Sequence, residues 1–210
     1  MSSDSASGVP LVLSGPSGVG KTTLTHQILA QFQDISQSIS ATTRSPRMGE
    51  VPGKDYIFMS TDEFKKSIDE DLFLEHAVVH GEYYGTPKGP LEERLSQGTD
   101  VLLVIDVQGG AQIKKIYPQA VLIFVLPPSM EVLEQRITER GGDDQESLDV
   151  RLQNARDEVS FARFYDYWVV NRDLEEAISQ IRSIIVADRC QADRARDLLR
   201  GFGFSWPGLE

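Results

Sequence analysis

Four stretches of the chain are apolar almost without interruption: residues 10–14 (PLVLS), 101–106 (VLLVID), 121–126 (VLIFVL) and 168–171 (WVVN). A strand with one wet face alternates apolar and polar residues, whereas a strand covered on both faces does not. These runs predict strands of a parallel sheet buried between helices. Between them, helical stretches are predicted near 22–32, 108–116, 129–139 and 173–190. Asp173 and Glu176 have the spacing of a capping box, with Asp in the cap position. Strand alternating with helix implies α/β architecture.

Two regions break the alternation. Residues 37 to about 90 are rich in turn formers, with strands expected at 39–42, 56–59 and 74–79. Ser60 and Glu63 form a capping box that starts a short helix. This region reads as an inserted α+β subdomain, 37–87. Residues 129–163 carry charge on two helices around Gly141 and Gly142, where Asp143 and Glu146 have capping spacing; they read as a helical lid. The rest forms one core, 9–36, 88–128 and 164–192, so that residues 1–210 make a single domain. The Gly- and aromatic-rich tail, 193–210, has no assigned role.

Composition narrows the function. With 210 residues the chain buries a substantial core. The net charge of -11 argues against broad nucleic-acid binding, which needs Lys and Arg against phosphates. A small anion held by a local basic cluster is compatible with it. The single cysteine, Cys190, cannot form an intrachain disulfide and is expected to pack on its helix. No apolar run reaches the length of a bilayer span, and the N-terminus lacks the apolar run of a secretory signal. A cytoplasmic protein without membrane contact is expected, and no obligatory protein partner is evident.

Gly15 opens GPSGVGKT, a full match to the G-x-x-x-x-G-K-[ST] phosphate loop, placed between a buried strand and a helix. Glycines at 15, 18 and 20 let backbone N–H groups converge into an anion nest, which the dipole of the following helix reinforces. Pro16, Ser17, Val19 and Thr23 complete the loop and the first turn. Lys21 suits the outer phosphates of a nucleoside triphosphate, and the Thr22 hydroxyl suits Mg2+.

The stretch SATTRSPRMGEVPGKDY places Arg44 and Arg47 on a turn-rich loop, with Tyr56 at its end and Tyr84 further on. Guanidinium groups match phosphate bidentately, so the loop reads either as a monophosphate cradle or as a solvated basic turn. Arg136 and Arg140, four apart, share a helix face, and Arg151 lies on the next helix. His76 and His80 have no metal-ligand spacing.

Taken in order, the phosphate loop, the arginine stretch, FLEHAVVHGEYYGTP, VIDVQG and the arginines near 140 closely resemble guanylate kinase, over about residues 9–186. The resemblance implies ATP-dependent phosphorylation of GMP, and of dGMP, with Mg2+. Arg44, Arg47, Tyr56 and Tyr84 match positions that grip the GMP phosphate. Ser40, Glu75, Thr86 and Asp106 match those that read guanine. Arg136 and Arg140 match lid contacts to ATP, Arg151 also reaches the acceptor phosphate, and Asn171 matches a position near adenine. Lys21, Arg44, Arg136, Arg140 and Arg151 are the expected catalytic set. The chemistry agrees: a carboxylate at Glu75 accepts from guanine N1–H and N2–H together, and a Thr86 hydroxyl donates to O6.

One position departs from the family. Two residues before Asp106, where an acid is usual, stands Val104; Glu50 is then the remaining acidic candidate for the outer shell of Mg2+. The same residues bear on two rival readings. A kinase for another nucleoside monophosphate is disfavoured by Glu75 with Thr86. A noncatalytic binding module is disfavoured by the intact loop and lid arginines.

Overall fold

The computed structural model describes residues 7–79, 81–139 and 145–195, with the backbone alone for 145–149. His80, Arg140, Gly141, Gly142, Asp143 and the tail from 196 therefore lie outside the described residues.

Five strands form one parallel sheet: β1 (Pro10–Ser14), β2 (Ile35–Gln37), β7 (Asp100–Val104), β8 (Val121–Leu126) and β9 (Tyr167–Val170), in the order β2-β7-β1-β8-β9. Successive side chains of a strand point to opposite faces. On β1, Leu11 and Leu13 join one apolar cluster with α1 (Lys21–Gln31) and α7 (Leu174–Arg189). Val12 joins the other, with α3 (Lys88–Ser96) and α4 (Val107–Ile116). Both faces are covered, which is why the strand reads as an unbroken apolar run. Asp173 caps α7 by accepting from the Glu176 N–H at 2.9 Å.

A second sheet gathers β3 (Ala41–Thr42), β4 (Ile57–Phe58), β5 (Phe73–Val79) and β6 (Glu82–Pro87), in the order β4-β3-β6-β5. Its own small core is Ala41, Phe64 and Phe73. Phe64, on α2 (Thr61–Asp69), stacks on Phe73 with ring centroids 4.5 Å apart. The Ser60–Glu63 capping box that starts α2 is complete in both directions. Helices α5 (Met130–Glu139) and α6 (Gln145–Ser160) pack through Leu133, Ile137, Leu152 and Ala155, and a 3-10 turn, Phe161–Phe164, leads into β9.

Three elements were not expected from the sequence. β2 is three residues long, and β6 holds Gly85 and Pro87, which weaken strand signals. α3 begins KGP, a breaker pattern, but Pro90 sits in the first turn, where no intrahelical N–H bond is lost. Cys190 also differs: it caps the C-terminus of α7 and is exposed, because the apolar stripe of that helix runs through Ala177, Ile181 and Ile185.

The end of the sheet away from the phosphate loop is tied by charge. Buried Asp100 accepts from the Val9 N–H at 2.9 Å, from Arg189 at 2.9 Å and from Arg194 at 2.6 Å. Arg194 also pairs with buried Asp188 of α7, so the chain just past α7 is tied both to that helix and to the start of β7.

Candidate active site

The phosphate loop leaves β1 and ends at the first turn of α1, so the N–H groups of that turn face the cleft. Gly20 has φ 102°, in the left-handed region, and a Cβ there would lie 2.6 Å from Asn171 Nδ2. Any side chain at this position is both strained and blocked. Asn171, at the end of β9, is buried, and its Nδ2 donates to the Val19 carbonyl at 2.8 Å. It braces the loop from beneath. Arg136 in turn donates to the Asn171 carbonyl at 3.3 Å. Lys21 folds back on its own loop, donating to Pro16 O at 3.1 Å and to Gly15 O. Gly15, Pro16 and Val19 are largely shielded, Ser17, Gly18 and Lys21 are half-buried, and Thr22 and Thr23 are exposed on α1.

Across the cleft, Arg44 and Arg47 leave the loop after β3. Arg44 pairs with Glu50 at 2.8 Å and lies over the Tyr56 and Phe58 rings, 5.3 and 5.9 Å from their centroids. The second Glu50 oxygen accepts from the Arg47 N–H at 2.7 Å. Burial pushes the Glu50 carboxyl up, but its bonds from Arg44 and Arg47 outweigh this and hold it below the usual range. Both Glu50 oxygens are thus engaged in shaping the arginine loop, a different placement from the Mg2+ shell expected of it. Tyr56 and Tyr84 meet edge to face at 6.1 Å.

Glu75 on β5 is 3% exposed and accepts from the Thr86 hydroxyl on β6 at 2.5 Å. Burial raises its pKa to about 7; the Thr86 bond opposes the rise and the Asp106 charge adds to it. Asp106 caps α4, accepting from the Gly109 N–H at 2.9 Å. Gly109 is required here by a close approach: a Cβ on it would stand 2.5 Å from Glu75 Oε2.

These groups share one cavity of about 230 Å3. Gly15, Ser17, Lys21 and Thr22 line one wall; Ser40, Arg47, Tyr56, Glu75, Tyr84 and Asp106 line the other. Arg44 and Thr86 stand directly behind that second wall, bonded to Glu50 and Glu75. Arg151 is half-buried on α6. Val104, the departure from the family, also lines the cavity, and three lining residues were missed by sequence reasoning: Val79, Ile105 and Glu158. Glu158 lies seven residues after Arg151, the same face of one helix, a spacing that would have flagged it.

Comparison with known proteins gives a consistent result. The guanylate kinase family model matches residues 7–188. A guanylate kinase of Caldanaerobacter subterraneus subsp. tengcongensis is 47% identical over 191 residues, covering 91% of this chain and 93% of its own. One from Clostridium perfringens (strain 13 / Type A) is 48% identical over 192 residues, covering 91% and 89%. The crystal structure of guanylate kinase from Anaplasma phagocytophilum superposes with a TM-score of 0.80 at 37% identity, covering 96% of this chain and 99% of that one.

Proposed function

The chain belongs to the guanylate kinase family and catalyses ATP-dependent phosphorylation of GMP to GDP, and from that premise we propose the part each residue of the cleft plays. The observation that carries the assignment is the shared cavity, with phosphate-loop groups on one wall and the Glu75–Arg47–Tyr84 set on the other.

On this reading, residues 15–22 hold the ATP phosphates, and Lys21 turns from its loop carbonyls to the outer phosphates as they arrive. Residues 37–87 hold the acceptor: Arg44, Arg47, Tyr56 and Tyr84 bind its phosphate. Ionised Glu75 accepts from guanine N1–H and N2–H. Thr86 has one hydroxyl proton, directed here to Glu75. Reading O6 requires that rotor to turn, or Ser40 on the same wall to supply the proton. Adenine reverses the donor and acceptor pattern at positions 1 and 6, and each buried group left unpaired costs roughly 1–3 kcal/mol.

Residues 129–163 act as the lid, bringing Arg136, Arg140 and Arg151 to the transferring group. An acceptor-phosphate oxygen attacks the γ-phosphorus in line, and the bond to the ADP oxygen breaks. The acceptor phosphate is already anionic, so positioning and charge cancellation carry the reaction without an obligatory general base. Among the described residues no group of three His, Cys, Asp or Glu side chains could hold a metal. The Thr22 hydroxyl, which lines the cavity from the first turn of α1, would hold Mg2+ carried by the nucleotide. Mg2+ when bound would neutralise charge on the β- and γ-oxygens. Asn171 supports the ATP site by bracing the loop through the Val19 carbonyl.

The test is diphosphate formation from ATP and Mg2+ with GMP, dGMP, AMP, CMP and UMP in parallel. GMP is expected to turn over fastest, dGMP next, and the others near background. Equal turnover of AMP would overturn the roles given to Glu75 and Thr86.

A further inference from the structure

One acid in the cleft has no part in the scheme above. Glu158 leaves the same face of α6 as Arg151, two turns later. Leu152 and Ala155 of that helix are buried against Leu133 and Ile137 of α5, which fixes the rotation of α6. Glu158 is thereby turned onto the phosphate loop. It lines the cavity beside Gly15, Ser17 and Lys21, where burial, with the Asp106 charge, pushes its pKa up against the pull of the Lys21 cation and the nearby Ser17 N–H. A loop N–H and the loop lysine are the two kinds of group that such a nest offers to phosphate oxygens.

We propose that Glu158 is a stand-in anion: in the nucleotide-free enzyme it occupies loop donors that the triphosphate takes, ties α6 to the loop, and is displaced when ATP binds. It is a positioning residue, because it acts through the loop and the lid rather than on the reacting atoms. While it is seated, the convergent N–H groups and Lys21 are kept from mutual repulsion. Once displaced, it frees the helix that carries Arg151, so ATP arrival and lid movement are one event. The displaced carboxylate stays near the phosphates and repels them, so the parent enzyme holds ATP less tightly than its loop alone would allow.

The proposal rests on residues 15–22 being the ATP loop, and the test separates the two. Calorimetric titration is done with ATP, inorganic tripolyphosphate and GMP. Glu158→Gln keeps the shape and removes the charge. It is expected to lower Kd for ATP and for tripolyphosphate by about three- to tenfold, the scale of one partly screened charge pair, and to leave Kd for GMP unchanged. Glu158→Asp, which keeps the charge, is expected to restore most of the parent's ATP affinity. The empty Glu158→Gln protein should melt about 2–4 °C lower for the lost tether, with the difference gone when ATP saturates both proteins. Unchanged or weaker ATP and tripolyphosphate binding in Glu158→Gln overturns the proposal, as does an equal shift for GMP. Lys21→Met must abolish tripolyphosphate binding; if it does not, the loop assignment itself fails, whatever Glu158 does.

Discussion

On the proposed assignment, the two walls of the cleft face the same kind of ligand, a nucleotide phosphate, and they are built by different means. The ATP wall is mostly backbone: residues 15–22, consecutive in sequence, held by one strand, one helix and the Asn171 brace beneath. The GMP wall is mostly side chains, drawn from β5, β6, the loop after β3 and the cap of α4. A backbone wall is specific for charge and geometry, because every residue offers the same N–H. A side-chain wall can also read a base, because donors and acceptors are chosen one by one. The first is expected to fail through conformation, the second through single atoms.

The largest expected effect tests the one side chain on which the ATP wall depends. Lys21→Met removes a cation directed at developing charge, and kcat should fall about 10²–10³-fold, the usual cost of one such group. KM for GMP should stay within about twofold. Steady-state kinetics with each substrate varied in turn checks this. A matching rise in KM for GMP would mean the walls are not separable.

Next comes the atom-by-atom wall. Glu75→Gln keeps the shape but offers guanine one acceptor and a clashing donor. KM for GMP should rise about 10- to 100-fold, from one or two pairs at roughly 1–3 kcal/mol each. The pH dependence follows from its raised pKa of about 7. The guanine donors need the carboxylate, so below pH 7 a proton must leave before GMP binds, and affinity should fall by up to about tenfold per pH unit. GMP's own phosphate titrates near 6; it does so in Glu75→Gln as well, so the difference between the two profiles isolates Glu75. Stability runs the other way. A folded pKa above the unfolded value means that the contribution is full below about 4.5 and lost as pH rises through about 7. The melting advantage of Glu75→Gln over the parent should therefore grow from pH 5 to pH 8.

The contrast also explains what could be read in advance. The ATP wall is local, so its eight-residue motif carried both geometry and chemistry. The sheet of the core was legible for the same reason, since strands covered on two faces leave unbroken apolar runs. The GMP wall spans Ser40 to Asp106, and nothing in their spacing says that Glu75, Thr86 and Asp106 meet. Only the family resemblance joined them. Sequence reasoning offered Glu50 as a candidate for the outer shell of Mg2+ and did not foresee its bonds to Arg44 and the Arg47 N–H, which depend on a fold within the loop. Helix α3 was hidden by Gly89 and Pro90, whose first-turn position makes both harmless.

Two glycines sharpen the comparison at about equal cost. Gly20→Ala forces a residue with a Cβ to φ 102° against Asn171. It should cost about 1–3 kcal/mol of stability and weaken ATP. Gly109→Ala sits in an ordinary helix, so its backbone is unstrained, but the new methyl would meet Glu75 Oε2. It should raise KM for GMP about tenfold, on the scale of one displaced hydrogen bond to a charged group, and leave ATP binding alone. Thermal melts with each ligand separate the two. A Gly109→Ala enzyme that lost ATP affinity instead would show that α4 serves both walls.

The smallest effect is expected where the walls share a support. Tyr165 is buried beneath both, between Ser14, which precedes the ATP loop, and Gly110 of α4, whose Cβ would stand 2.4 Å from the tyrosine hydroxyl. That hydroxyl has no hydrogen-bond partner of good geometry, and burial pushes its pKa up. Ser14 is near enough to attract it but gives its own proton to the Ile105 carbonyl at 2.8 Å. A buried polar group without a partner costs about 1–3 kcal/mol, and removing it recovers part of that. Tyr165→Phe should therefore melt about 2–4 °C higher, which corresponds to about 1 kcal/mol in a chain of this size. Both KM values should stay within about twofold, because neither wall loses an atom that faces ligand. A lower melting temperature would mean that the hydroxyl is satisfied by ordered water in solution, and that the junction is polar rather than merely packed.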